Sequence, residues 1–178
     1  QNELDLTTMQ NYTISVELDE GLRQTPELFL PGEVRTAKEV AQFIRGVMTG
    51  HQGGTSFHSK GGKKCIKRLG SEYSTATGLS EKEASSSICQ VIDFIIYQAK
   101  LPDGSRKVLS IDEVVGYDFD KTQPIINKLF AFKQEKTKRK ADGTVDKIIG
   151  KHVQLNPITE ELKAAFQLEG GYSDEELE

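Results

Sequence analysis

The sequence predicts an α/β fold in two stretches. A core of buried parallel strands with flanking helices comes first, and from about Phe94 a mainly antiparallel β extension and a C-terminal helix follow. Three observations predict it. Leu28-Phe29-Leu30-Pro31-Gly32-Glu33-Val34-Arg35 is a short apolar run that ends on Gly and an acid and passes at once into a helix-period pattern. A strand that delivers its carboxyl end to the ligand edge of an open parallel sheet reads this way. Ser80 with Glu83 three residues on is a capping-box signature for a further helix. After Asp93 the texture changes to β-branched and aromatic runs, punctuated by Pro102-Asp103-Gly104 and Ala141-Asp142-Gly143-Thr144, which is the turn chemistry of hairpins.

Taken in order, Leu4 and Leu6 and then Tyr12, Ile14, Val16 and Leu18 alternate, which argues for extended chain from Gln1 to Asp19. Gly21 to Pro26 reads as a short helix or turn, with Pro26 holding the approach to the next strand extended. Beyond Arg35, Ala37, Val40, Ala41, Ile44, Val47 and Met48 make one apolar stripe of a helix that packs on the sheet. Thr49 to Gly54 breaks that helix with glycines, and Thr55-Ser56-Phe57-His58 follows as a second short strand ending on a histidine. Lys63 to Tyr73 is a helix with Ile66, Leu69 and Tyr73 on one side; the helix begun at Ser80 turns Ala84, Ile88, Val91 and Ile92 inward. Phe94 to Gln98 and Lys107 to Ile111 answer each other as strands, Ile125 to Lys133 alternates, and Lys147 to Leu155 returns from a lysine-rich hairpin. Ile158, Leu162, Ala165 and Phe166 form a last amphipathic helix closed by Gly170-Gly171, and Tyr172 to Glu178 is a frayed acidic tail.

Composition narrows the function classes. A chain of 178 residues fits one ordinary domain, or a small domain with an appendage, and can bury a core. With 36% hydrophobic and 28% charged residues it reads as globular rather than disordered, and a net charge of -4 argues against a nucleic-acid binder overall. No apolar run approaches the ~20 residues needed to cross a bilayer. The first residues, with Glu3 and Asp5, do not form a signal peptide. Cys65 and Cys89 lack CxxC spacing and a His cluster, which points to reduced thiols in a cytoplasmic protein. Lys133 to Lys140 reads as a solvated edge that resists strand pairing.

The chemistry gathers at Glu33. In an ATPase or GTPase of this architecture, an acid at the strand tip either helps hold Mg²⁺ through water or orients the water that attacks the terminal phosphate. An acid that simply ends a strand is the competing reading. His51 and His58, two of the three histidines, flank one glycine-rich turn directly after the Glu33 strand and its helix. That order places Glu33 and His58 on neighbouring strand tips, against the alternative of a structural or surface histidine.

The string Leu22-Arg23-x-x-Pro26, then Gly32-Glu33-Val34-Arg35, Thr49-Gly50-His51-x-Gly53 and Thr55-x-x-His58, resembles the ATPases of type II and type IV secretion systems, in particular the branch of conjugation and tight-adherence pilus machines. Val91 to Gln98, Asp103 to Val108, Ile111-x-Glu113-Val114-Val115-Gly116, Leu129 to Phe132 and Glu160-x-Leu162 continue the resemblance in the same order. It implies a RecA-like P-loop NTPase core that hydrolyses ATP with Mg²⁺ at the interfaces of a homo-hexameric ring. Such a ring drives pilus assembly or substrate transfer from the cytoplasmic side, held peripherally on inner-membrane platform proteins, without direct nucleic-acid contact.

By the same resemblance, Gly32-Glu33 matches the Walker B element with Glu33 as the water-orienting base. Thr55 to His58 matches the histidine box, with His58 reaching the γ-phosphate region. Arg23 and Arg35 match arginines that stabilise phosphate charge within the subunit or across the interface, and Gly32 and His51 join them as nucleotide-binding positions. No residue is assigned as a metal ligand. Residues 1–93 then form the C-terminal part of the ATPase core, 94–171 a hairpin and helix extension, and 172–178 an acidic tail. Three departures stand out: Thr36 where the family has Gly, Ser59-Lys60 where it has Ala-Asn, and no G-x-x-x-x-G-K-[ST] anywhere. The last removes the loop that grips the phosphates, so the expectation is a C-terminal part that is inactive alone. The alternative is a catalytically silent module for ring assembly or docking to a membrane platform.

Overall fold

A computed structural model of the protein describes residues 28–177. The readings of residues 1–27, Arg23 among them, lie outside the described residues. The chain divides into two compact units, Gln1–Ser59 with Cys65–Val91, and Lys60–Lys64 with Ile92–Glu178.

In the first unit, β1 (Leu28–Phe29) pairs in parallel with β2 (Gln52–Gly53), Leu28 opposite Gln52 and Phe29 opposite Gly53. A single parallel bridge further on joins Glu33 to Ser56. Between the strands runs α1 (Ala37–Met48), opened by a capping box in which Thr36 accepts from the Glu39 amide while the Glu39 carboxylate accepts from Thr36 N at 3.1 Å. The departure at Thr36 therefore has a local reason, because a hydroxyl there satisfies an N–H that glycine would leave open. The apolar stripe faces inward at its centre, where Val40 and Ile44 are fully buried, but its end at Met48 is exposed, and Phe43, outside the stripe, is buried and stacks on Phe29 with ring centroids 6.2 Å apart.

The second strand needs correction. The sequence suggests pairing along Thr55 to His58, yet the ladder forms at Gln52–Gly53, inside what reads as a glycine turn. Glycine is there for proximity: a Cβ on Gly53 would stand 2.8 Å from the Phe29 carbonyl oxygen. Next, α2 (Gly62–Thr77) extends past its expected ends and buries Cys65, Ile66, Leu69 and Tyr73. The last helix of this unit is α3 (Glu81–Cys89), which starts with the expected Ser80/Glu83 capping box but stops at Cys89. Val91 and Ile92 consequently fall beyond it.

The second unit is an antiparallel meander in the order β3 (Phe94–Lys100), β4 (Arg106–Asp118), β5 (Gln123–Arg139), β6 (Val145–Gln154). The strands run longer than their apolar patterns: β4 continues through the buried Asp112 and Glu113, and on β5 the lysine-rich stretch expected as a solvated edge that resists pairing is paired with β6, Lys133 opposite Lys151 and Lys138 opposite Lys147. After the sheet comes α4 (Glu160–Gly170), capped by Gly171 in the left-handed region at φ 69°. Phe166 on this helix stacks on Phe94 with centroids 6.1 Å apart. Glu113 ties strand to helix: its buried carboxylate accepts from Asn127 Nδ2 at 2.8 Å, from Thr159 N at 3.1 Å and from the Thr159 hydroxyl. The tail is not simply frayed, because Asp174–Glu176 form a 3₁₀ turn in which the Glu176 carboxylate accepts from Ser173 N at 2.8 Å.

Candidate active site

Two laced segments carry the site. Past the β1/β2 pair, Ser56 Oγ donates to the Gly32 carbonyl at 2.6 Å and Val34 N donates to the Ser56 carbonyl at 3.1 Å. These bonds set Glu33 beside the chain that reaches His58 two residues later.

The side chains meet. Glu33 Oε2 accepts from Arg35 Nε at 2.7 Å, with Arg35 Nη2 2.6 Å from the same oxygen. Glu33 Oε1 lies 2.8 Å from His58 Nε2, but without hydrogen-bond alignment, so the contact is an ion pair only when the imidazole is protonated, and the enclosed Oε1 accepts no hydrogen bond. The hydrogen bond from Arg35 is the largest influence on the carboxyl and holds its pKa below the ordinary value; partial burial opposes it, and the charges of Arg35 and His58 add to it. Arg35 and His58 themselves stand in solvent.

Arg35 and His58 line an open cleft of about 420 Å³, together with Val34, Phe57 and Arg68. Glu33 is not among the lining residues and reaches the cleft through its two neighbours, Arg35 and His58. Arg68, on α2, is absent from the sequence-based site. Its Nη1 donates to the His58 carbonyl, and its guanidinium lies 5.0 Å from the centroid of the Phe57 ring. No motif points to it: it follows His58 by ten residues, beside the apolar stripe of α2, and only folding brings it back.

The other expected site residues behave differently. His51 caps α1 instead of joining the cluster, with Nδ1 3.2 Å from the Gly46 carbonyl and 3.2 Å from Thr49 Oγ1. Gly32 accepts from Ser56 through its carbonyl, and a Cβ added there would meet nothing within 4 Å. Arg23 lies outside the described residues. Cys65 and Cys89 are free and buried, and burial pushes both thiols up to about 11, which leaves them protonated and unreactive.

A cleft lined by Arg35, Arg68 and His58 with one adjacent carboxylate suits the oxygens of a phosphate better than a cation. Among the described residues no group of three or more His, Cys, Asp and Glu could hold a metal ion. Nor is any described helix long and apolar enough to cross a membrane.

The model of a family described as Type II/IV secretion system protein matches residues 1–103. No curated protein matches the chain. Among solved structures, the X-ray structure of the Legionella pneumophila ATPase DotB is similar at 25% identity, covering 55% of this chain and 26% of that one, with a TM-score of 0.47. The chain thus spans about a quarter of the length of that protein.

Proposed function

The chain belongs to the Type II/IV secretion system protein family, and from that premise we propose that it is the C-terminal part of a motor ATPase that couples ATP hydrolysis to pilus assembly or substrate transfer. In this reading residues 1–93 complete a RecA-like core, 94–171 extend it, and the working protein is a homo-hexamer on the inner face of a membrane, docked to platform proteins. The observation that carries the reading is the Glu33 carboxylate held by Arg35 at 2.7 Å and faced by His58 at 2.8 Å beside an open cationic cleft.

Bound Mg-ATP supplies the terminal phosphoryl group and the metal charge that offsets its oxygens. Once the phosphate draws Arg35 and His58 toward the cleft and opens the enclosed Glu33 Oε1, that oxygen orients the attacking water and takes its proton. Arg35 and His58, with charge directed both to Glu33 and to the cleft, stabilise the charge that spreads over the phosphoryl oxygens. The depressed pKa of Glu33 makes it a weak base while Arg35 holds it. Phosphate oxygens that draw Arg35 and His58 toward the cleft loosen that hold and raise the basicity of Glu33 as the reaction needs it. Gly32 gives the backbone a bare approach to the nucleotide, and Arg23 and His51 act at its margin or at a subunit boundary.

The test is turnover against binding in the full-length protein. Glu33→Gln keeps the shape and removes the base, so phosphate release falls roughly 10²- to 10⁴-fold while nucleotide affinity is largely retained. Undiminished turnover would make Glu33 structural and favour an assembly module for ring formation or platform docking.

A further inference from the structure

We propose that Arg68 is a positioning residue for His58, fixing the segment that presents the imidazole to Glu33 and the cleft; this rests on the reading of Glu33 and His58 as the hydrolytic pair. The described contacts hold that segment from two sides. On one side, Ser56 is laced to Gly32 and Val34. Beyond Ser56 the ladder ends, and the His58 carbonyl accepts from Arg68 Nη1. The same guanidinium covers the Phe57 ring at 5.0 Å, so one planar group grips two successive residues by two different forces, a charge-assisted hydrogen bond and a cation–π contact.

The geometry makes this grip consequential. His58 Nε2 is at contact distance from Glu33 Oε1 without hydrogen-bond alignment, and its ring is otherwise in solvent. Such a side chain takes its direction from its backbone. A rotation of the peptide at His58 would swing the imidazole away from Oε1, and Arg68 is the group that opposes it. A helix is a firm base for the task, since Arg68 stands between the buried Ile66 and Leu69, which lock its backbone in the core of the first unit.

Lysine cannot replace arginine here fully. Its ammonium can reach the carbonyl, yet it has no plane to lay on Phe57. The experiment measures kcat and KM for Mg-ATP in the full-length protein with Arg68→Ala, Arg68→Lys, Phe57→Leu, and Glu33→Gln and His58→Ala as references, and then adds millimolar guanidinium chloride to Arg68→Ala. Expected are a fall in kcat of about 10- to 100-fold for Arg68→Ala with KM within about threefold, an intermediate value for Arg68→Lys, and partial recovery with guanidinium but not with equimolar sodium chloride. The melting temperatures of the variants are compared first, and Arg68→Lys carries the test if Arg68→Ala does not fold. Loss of turnover in Glu33→Gln and His58→Ala with wild-type kcat in the Arg68 variants would overturn the role of Arg68 alone. A KM rise with kcat unchanged would overturn it too, because Arg68 would then contact substrate directly. Unchanged turnover in Glu33→Gln and His58→Ala would instead overturn the reading of the site beneath it.

Discussion

Glu33 shows how neighbours rather than exposure set the state of a carboxyl. Its pKa is lowered chiefly by the Arg35 hydrogen bond, so the folded chain favours the ionised form more than the unfolded chain does. The sign follows: the stabilisation is present above the ordinary carboxylate pKa and is lost as the pH falls through the lower folded value. The melting temperature of wild type should therefore exceed that of Glu33→Gln at neutral pH, and the two curves should converge in acid. A gap that persists unchanged into acid would show that Arg35 and His58 do not bind the charge. Gly32 supplies a second residue-level expectation. Because a Cβ there meets nothing within 4 Å, Gly32→Ala should leave the unfolding free energy of the chain within about 0.5 kcal/mol of wild type, the range of uncrowded surface changes, while weakening nucleotide binding in the full-length protein. Equal affinity for the two would remove Gly32 from the nucleotide site.

At the scale of elements, two contacts decide stability. Gly70 on α2 faces Ser85 on α3: a Cβ there would fall on the Ser85 hydroxyl and stand 3.3 Å from Ser85 Cα, which cannot swing aside. Gly70→Ala gains about 1 kcal/mol of helix propensity. Crowding of a packed helix pair costs about 1–3 kcal/mol and wins, so urea unfolding should shift to lower concentration. The second contact is Glu113. Truncation to Ala leaves the Thr159 amide and hydroxyl without their acceptor, at about 1–3 kcal/mol for each donor left unpaired, while Asn127 Nδ2 keeps its bond to the Pro157 carbonyl at 2.9 Å. Hydrogen exchange should show α4 losing protection before the strands do; uniform loss would mean that Glu113 serves the sheet alone.

These elements also show what a sequence discloses. The stripe of α1, the capping box of α3 and the turns at Pro102-Asp103-Gly104 and Asp142-Gly143 are local signals, written within a few residues of where they act, and each was legible. The pairing at Gly53 was not, because a glycine that breaks a helix and one that admits a neighbouring carbonyl are spelled the same way. The closeness of Glu33 and His58 could be read because strand order brings them together. Arg68 could not, since a side chain that folds back ten residues to a carbonyl leaves no periodic trace, and the contact of His51 with the end of α1 could not either, because a helix-capping histidine and a phosphate-binding one share the same glycine-rich context.

For the whole molecule, the claim is a division of labour. In the proposed reading the chain supplies the carboxylate that orients water and the side chains that meet a phosphate, and its sequence has no G-x-x-x-x-G-K-[ST] loop to hold the phosphate there. Positioning accounts for much of phosphoryl transfer, so a base without a held substrate does nothing measurable. The most direct measurement is phosphate release from Mg-ATP in one assay of four proteins: the full-length protein and this 178-residue chain, each beside its Glu33→Gln variant. The account predicts turnover by the full-length wild type, a loss of at least about 10²-fold in its variant, and no release above background from either form of the short chain. Release by the short chain that exceeds its Glu33→Gln control, or full-length turnover that survives the substitution, would contradict it.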